Sequence, residues 1–247
     1  MTLSDEYKRQ FAWRPWPEVI ALLPPLAGKT VLDLGCGVGD QAALLADRGA
    51  RVVGVDTNQE LLAVARSRGI PNAEFRSADL RTLDDVGRFD GIWCSFAAAY
   101  VPDLGPTLTC WKQHLNLQGW IALVEIDDLF GHAPVEPGTS SLLAGYAQDA
   151  LAANRYDFHM GRKLRSHLER AGFTVVDSRI LVDEELSFDG PAAPEVLEAW
   201  KDRLNRMKGL HHFCGVMFER VRDNFLEALS RPDHHSVAKL YGCIGTL

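Results

Sequence analysis

A chain of 247 residues with 47% apolar and 24% charged residues has ordinary globular composition, long enough for one domain, or one with a sizeable insertion, and unlike disordered, collagenous or low-complexity sequences. Its 26 Lys and Arg against 33 Asp and Glu leave a formal charge of -7, which repels a phosphate backbone unless a basic face is segregated; no such face is legible, so nucleic acid is not an expected partner. The longest strongly apolar uncharged run before the C-terminal tail, residues 92–102, is too short for a bilayer span of about 20 residues, residues 1–10 are polar where a secretory signal would be apolar, and the five cysteines contain no Cys-x-x-Cys, so a cytoplasmic protein with reduced thiols and no membrane partner is expected.

From residue 30 to 126 short β-type runs alternate with helical ones, the pattern of a parallel sheet flanked by helices. Strands are expected over residues 30–34, 51–56, 73–77, 89–96 and 120–126, and helices over 41–47, 59–68 and 106–114. In the second helix Leu61, Leu62, Val64 and Ala65 recur near the 3.6-residue period. Past Ile126, Pro134, Pro137 and Gly138 break the chain. Helices are then expected over 140–154 and 163–171, the latter stopped by Gly172, followed by a sixth strand over 174–181, helices near 194–207 and 216–229, and a short last strand around 238–244. The chain reads as one domain, 1–247, in which residues 1–27 form a lid and residues 127–160 and 182–235 are helical insertions over one end of the sheet. Ligands of an open α/β sheet sit outside the carboxyl ends of its strands, so residues just after each strand are the functional candidates.

The first strand runs into Asp33-Leu34-Gly35-Cys36-Gly37-Val38-Gly39-Asp40. Glycines here permit positive φ and close approach of a ligand to the backbone. The third glycine falls one place early for a dinucleotide fingerprint, where Asp40 stands. Asp33, Asp40 and Asp47, with no Lys or Arg between residues 31 and 47, would oppose a pyrophosphate at the helix N-terminus; a cationic, phosphate-free nucleoside suits the loop better. Asp56 ends the second strand and is placed for both ribose hydroxyls, with Thr57 beside it. Asp79 can accept from an adenine amino group while Leu80 packs the ring. Cys36 is a small loop filler rather than a nucleophile, and Phe96 closes the fourth strand over the same end of the sheet. Together these residues ask for adenosine carrying positive charge, S-adenosylmethionine (SAM).

Residues 30–126 resemble a class I SAM-dependent methyltransferase. Val31-Leu32-Asp33-Leu34-Gly35-Cys36-Gly37-Val38-Gly39 is similar to that family's first motif, Val53-Gly54-Val55-Asp56 to its second-strand acid, and Ser77-Ala78-Asp79-Leu80 to its adenine-binding motif. The resemblance covers about the first half of the chain. It implies an α/β, Rossmann-like fold: a seven-stranded, mostly parallel sheet with helices on both faces, the last strand antiparallel and inserted between the fifth and sixth. It also implies SAM as cofactor and methyl transfer as the activity. Leu117-Gln118-Gly119 departs from the Pro-Gly-Gly turn common before the fifth strand.

Methyl transfer from a sulfonium needs alignment in a dry pocket more than covalent help from protein. Ser95-Phe96-Ala97-Ala98-Ala99-Tyr100 stands where amino-methylating nucleic-acid enzymes carry Asn/Asp-Pro-Pro-aromatic, and Cys94 lacks the proline that precedes a base-methylating nucleophile. The paired-glutamate loop resembling protein arginine methyltransferases is absent. The expected substrate is therefore a small aromatic or heterocyclic metabolite, methylated on N or O, in the space left by three alanines. Tyr7, Phe11, Trp13, Arg14, Trp16 and Tyr100 would form its walls. His132 or His159, with Tyr100, would act as base or orienter. Asp127 and Asp128 with His132 resemble a divalent-metal set, but the matching acid after the fourth strand is missing, so no metal is expected. A monomer or homodimer is expected. The alternatives are an RNA or protein methyltransferase, a nicotinamide oxidoreductase and a non-catalytic SAM-binding module.

Overall fold

The structure, a computed structural model, describes residues 3–84 and 86–247; the first two residues of the expected lid lie outside the described residues. In chain order the elements are α1 (Leu3–Phe11), α2 (Trp16–Ala21), β1 (Thr30–Leu34), α3 (Asp40–Asp47), β2 (Arg51–Asp56), α4 (Gln59–Ser67), β3 (Ala73–Ser77), β4 (Phe89–Ser95), α5 (Leu104–Gln113) and β5 (Leu115–Asp127). There follow β6 (His132–Ala133), α6 (Pro137–Ala152), α7 (Leu164–Arg170), β7 (Thr174–Leu181), α8 (Pro194–Arg206), α9 (Lys208–Cys214), α10 (Phe218–Leu229), β8 (His235–Ser236) and β9 (Lys239–Thr246).

Seven strands form one sheet in the order β3-β2-β1-β4-β5-β9-β7. β1 to β5 pair in parallel, and β9 runs antiparallel between β5 and β7, as the resemblance implies. The central strands are apolar almost throughout because helices cover both faces. Period-two geometry sends neighbouring side chains to opposite sides. Val31, Trp93 and Ala122 enter one core with Trp16, Trp200 and Phe225. Leu32, Cys94 and Leu123 enter the other with Trp111 and Leu168. The strand order turns back on itself between β1 and β4, and that switch point is where a doubly wound sheet leaves a crevice at its carboxyl edge.

The fifth strand is longer than expected, because Leu115 already pairs with Phe89 before the register shift that leads to Gly91↔Trp120. Three features have no counterpart in the sequence reading. The N-terminal segment folds as α1, with Asp5 and Glu6 in its first turn and Lys8 and Arg9 in its last, a distribution that suits the helix dipole, and then α2, which carries Pro17 in its first turn. α9 follows α8 after one residue. The short ribbon β6–β8 pairs His132 with Ser236 and Ala133 with His235, tying the segment after β5 to the one before β9. Among the described residues no helix is long and apolar enough to cross a membrane.

Candidate active site

The glycine loop is laced to its neighbour. Gly35 N and Cys36 N both donate to Val55 O, at 2.8 and 3.0 Å. Gly35 and Gly39 hold φ of 75° and 80°; a Cβ would stand 2.5 Å from Ala97 Cβ at the first and 2.7 Å from the Phe75 ring at the second, so both conformation and space demand glycine. Beneath the loop lies Asp33, buried, with one carboxylate oxygen lacking a hydrogen-bond partner among the described residues. Burial, then Asp56 and Asp40, push its pKa up to about 8.

Asp56 is fixed from two sides: Gly37 N donates to Oδ2 at 3.0 Å and Asn58 N to Oδ1 at 2.8 Å. Asn58 in turn caps α4 by accepting from Glu60 N and Leu61 N, so the start of that helix positions the carboxylate. Each oxygen keeps a further lone pair for a ligand hydroxyl. Asp79 is gripped by the Arg81 side chain, with Nε to Oδ1 at 3.0 Å, and these hydrogen bonds pull its carboxyl below the usual range.

A cavity of about 680 Å³ opens over these strand ends. One half, from β1 to β3, presents Asp40, Asp56 and Asp79 with Gly35, Gly37, Thr57 and Leu80. The other half is built by α1, the start of α2 and the turn before it, the segments after β4 and after α6, and α8, and presents Tyr7, Gln10, Phe11, Arg14, Trp16, Phe96, Tyr100, Tyr156, Arg203 and Arg206. The two halves differ in charge. The lining of the first carries Asp40, paired with Arg68, Asp79, paired with Arg81, and Asp56; the lining of the second carries three arginines and no acid, the acids that pair with them, Asp183, Glu185 and Glu6, lying off the lining.

The arginine half rests on buried ion pairs. Arg14 gives Nη1 to Asp183 Oδ2 and Nη2 to Glu185 Oε2, both at 2.5 Å, and Arg203 gives Nη2 to Glu185 Oε1 at 2.5 Å. Asp183 also accepts from Glu185 N and Leu186 N. Burial works against a charged Glu185, but Arg203 and Arg14 outweigh it and hold its carboxyl below the ordinary value. Arg206 pairs with Glu6 of α1. Nε of Arg14 and Nε of Arg203 are buried without a hydrogen-bond partner among the described residues. Tyr100 and Tyr156 meet edge to face at 4.8 Å. Behind them Glu125 is buried and accepts from Ala99 N at 3.1 Å, its pKa raised by burial to about 7. Burial also carries the Tyr7 phenol up to about 12.

The cavity brings together Gly35, Cys36, Gly37, Asp56, Thr57, Asp79, Leu80 and Phe96 of the expected cofactor set, and Tyr7, Phe11, Arg14, Trp16 and Tyr100 of the expected substrate set. Asp33 and Gly39 support the loop without lining it. Trp13 is not on the lining; it packs against the core and its carbonyl accepts from Glu184 N.

Both histidines assigned as base are elsewhere. His132 is 3% exposed, with Nδ1 3.0 Å from His234 Nε2 and its ring enclosed by Phe188, Trp200 and Phe225. Burial, then His234, depress its pKa to about 3. The physical reason is that the chain after β5 turns under the insertion into the β6–β8 ribbon instead of rising over the strand ends. His159 sits in a turn where its N–H donates to Asp157 Oδ1, also off the lining. Asp127, the nearest thing to a metal ligand, is taken by Arg162 Nε at 2.7 and 2.8 Å.

Arg203, Arg206, Tyr156 and Gln10 were not expected at the site. Only the arginines leave a sequence signal: spaced three apart and following Trp200 by the same interval, they share one face of α8.

A seven-stranded sheet with this strand order, an acid-flanked glycine loop and a second-strand carboxylate at its switch point has the fold and motifs of the class I SAM-dependent methyltransferases. Residues 31–119 match the family model described as a methyltransferase domain. Trans-aconitate 2-methyltransferase of Azoarcus sp. is 37% identical over 127 residues, 49% of this chain and 50% of that protein. The enzyme of the same name from Deinococcus radiodurans is 35% identical over 128 residues, 50% of this chain and 49% of that protein. The chain thus spans about half the length of the curated relatives it matches. Among solved structures, a SAM-dependent methyltransferase from Mesorhizobium loti superposes with a TM-score of 0.56 at 22% identity, covering 94% of this chain and 97% of that one. A geranyl diphosphate methyltransferase in complex with SAM gives 0.57 at 17% identity, covering 94% and 83%; at these identities the likeness is one of fold.

The residues fit SAM as cofactor. Asp56 has acceptor capacity left for ribose hydroxyls, and the glycine loop leaves room for a ligand against its backbone. Three carboxylates and one arginine, Arg81, line that half, a balance that favours a positively charged nucleoside.

Proposed function

We propose that this chain catalyses SAM-dependent methyl transfer to a small organic anion, with a carboxylate oxygen as acceptor atom. The observation that carries the reading is the charge division of the cavity: acids on the cofactor side, Arg14, Arg203 and Arg206 on the other. When bound, SAM supplies an electrophilic methyl group. Asp56 and Asp79 would hold its ribose and adenine, and the loop at Gly35 and Gly37 its remaining part.

The nature of the acceptor follows from what the wall offers. A phenol or alcohol needs a proton removed, but among the described residues no histidine lines the cavity. Its tyrosines and Cys36 do not ionise near neutrality, burial raising Tyr7 and Cys36 above their ordinary values. A carboxylate is already ionised and needs only orientation and exclusion of water. Arginine donors suit it, since a guanidinium presents paired N–H groups matched to two carboxylate oxygens, and the Arg206 side chain on the lining is 40% exposed. An ammonium acceptor would find no carboxylate on the lining of that half. The tyrosines and Phe96 would pack an apolar body, so a carboxylate on an aromatic or unsaturated frame satisfies both wall chemistries. The names of the relatives, which act on trans-aconitate, support an organic acid as substrate.

The test is a panel of organic acids, trans-aconitate among them, against their amides and against amines and phenols of similar size, with S-adenosylhomocysteine as readout. Methyl esters, recognised by release of methanol in mild base, are expected from the acids alone. Arg206→Gln should raise KM for the acid about tenfold, the loss of one charge-assisted hydrogen bond, with SAM affinity unchanged. Turnover of amines or phenols and not of acids would overturn the reading.

A further inference from the structure

The two edges of the sheet are built differently. β3, at one end of the order, is five residues long, and the exposed side chains on it are Glu74, Arg76 and Ser77, the polar surface by which a natural sheet discourages edge pairing. β7, at the other end, has eight residues, contains neither Pro nor Lys, and exposes Val176 (58%) and Ile180 (54%), with Val182 (74%) just beyond. Its inner side pairs with β9; among the described residues no strand pairs with its outer side. A register shift between Val175 and Asp177 lies near the N-terminal end of the strand.

The exposed stretch reads Val176-Asp177-Ser178-Arg179-Ile180, and this is a chemical palindrome. Placed antiparallel to itself about Ser178, it sets Asp177 opposite Arg179, a pair that occurs twice, with the exposed Ile180 and, at the register shift, Val176 flanking it. A two-fold axis perpendicular to the sheet keeps each face on its own side, so the opposite charges meet on one face, as an isologous contact requires. Asp177 and Arg179 do lie on one face of β7: Arg179 Nε reaches Asp177 Oδ1 at 2.7 Å, and Arg179 Nη1 stands 3.9 Å from Glu18 of α2. A second copy would extend this row of alternating charge without introducing a like-charged neighbour across the strands, and opposite charges facing across a strand pair favour pairing.

We propose that two copies of this chain join through β7, antiparallel about Ser178, so that the sheet continues from one subunit into the other. The occupant of the edge is the chain itself because the edge is complementary to itself, in charge and in apolar side chains, whereas β3 pairs acid with base but offers no exposed apolar side chain.

Sedimentation velocity on the full chain, over a concentration series, tests this. The wild type is expected at twice the chain mass. Asp177→Arg alone, and Arg179→Asp alone, put like charges across the axis and should weaken the dimer roughly tenfold or more. The double variant Asp177→Arg/Arg179→Asp restores opposite charges across the axis and should recover the dimer. Glu74→Arg on the other edge should leave the mass unchanged. Circular dichroism and SAM binding, expected to be unaltered in all four, keep the comparison on folded protein. A monomeric wild type, a single reversal that remains fully dimeric, a double variant that stays monomeric, or a β3 variant that dissociates would each overturn the proposal.

Discussion

The two halves of the cavity are made by opposite strategies. The cofactor half is local: β1, its glycine turn and α3 occupy residues 30–47, and Asp56 is held by backbone N–H groups of Gly37 and Asn58. The acceptor half is assembled at long range, with Arg14 reaching Asp183 and Glu185 across 169 and 171 residues of chain. A site made from one turn can be held by backbone conformation. A site made from distant segments must be held by side chains, and here those side chains are buried ions, which are costly when they lose a partner.

That contrast predicts where the protein is most fragile. Arg14→Met should be the most damaging single change, leaving Asp183 and Glu185 with less compensation in a buried setting; the expected loss is about 3–5 kcal/mol, read as a large fall in Tm. Because the cofactor half does not depend on these ions, SAM affinity of the protein that remains folded should be near normal. If Arg14→Met matched the wild type in Tm, the ion cluster would not be what holds the acceptor half.

Asp33 gives the cofactor half its own vulnerability, one that depends on pH. Its folded pKa of about 8 lies above the ordinary carboxyl value, so between the two the folded chain keeps a proton the unfolded chain has lost. The protonated form therefore favours folding at low pH, and that contribution declines as pH rises from about 4 and is lost through about 8. Asp33→Asn lacks this slope. In the absence of cofactor it should melt close to the wild type near pH 4 and above it at pH 8, by the equivalent of about 3 kcal/mol, less than the full shift allows because water and the loop can adjust. Parallel Tm-versus-pH curves for the two proteins would refute the buried-acid account.

Much of the fold was legible for the same reason that the cofactor half was. Residues 30–34, 51–56 and 73–77 are strands as read, since a short β-type run ended by turn residues is a local signal. The residues expected to hold adenosine follow from where those strands end. The arginine wall had no such signal. Arg203 and Arg206 sit on an amphipathic helix whose charged face reads as solvated until Glu185 and Glu6 are seen opposite it. His132 failed as a base for the converse reason: a histidine five residues past a strand end looks available, and only the β6–β8 ribbon, two residues a side, shows that it is sealed. α1 and α2 are short, and their apolar faces mean little until Trp93 and Phe96 are there to receive Trp16.

Asp56→Ala sharpens the comparison at a smaller energy. Removing an acceptor for two ribose hydroxyls should weaken SAM by roughly 2–3 kcal/mol, since hydrogen bonds to a charged group are worth about 1.5–3 each and water replaces part of the loss. The acceptor half should be untouched, so KM for an organic acid measured at saturating SAM should stay within about twofold, a small fraction of a kcal/mol. A variant that lost acid binding and kept SAM affinity would reverse the assignment of the two halves.

The smallest effect expected is at the histidines, and it decides how the acceptor half works. If that half only orients an anion already able to react, nothing in it needs to take a proton, and His159→Ala should lower kcat by less than about threefold, far below the 10²–10⁴ that a general base contributes. His132→Phe tests packing at the same time. The imidazole is sealed among Phe188, Trp200 and Phe225, and the change leaves His234 Nε2 without its partner, so Tm should fall modestly while kcat is kept. The pH profile discriminates further. With a carboxylate acceptor, kcat in the wild type should be flat across neutrality and fall only at acid pH, where the substrate gains a proton. A kcat rising through pH 6–7 in the wild type and abolished in either histidine variant would mean that the chain reorganises to bring a base to the cavity.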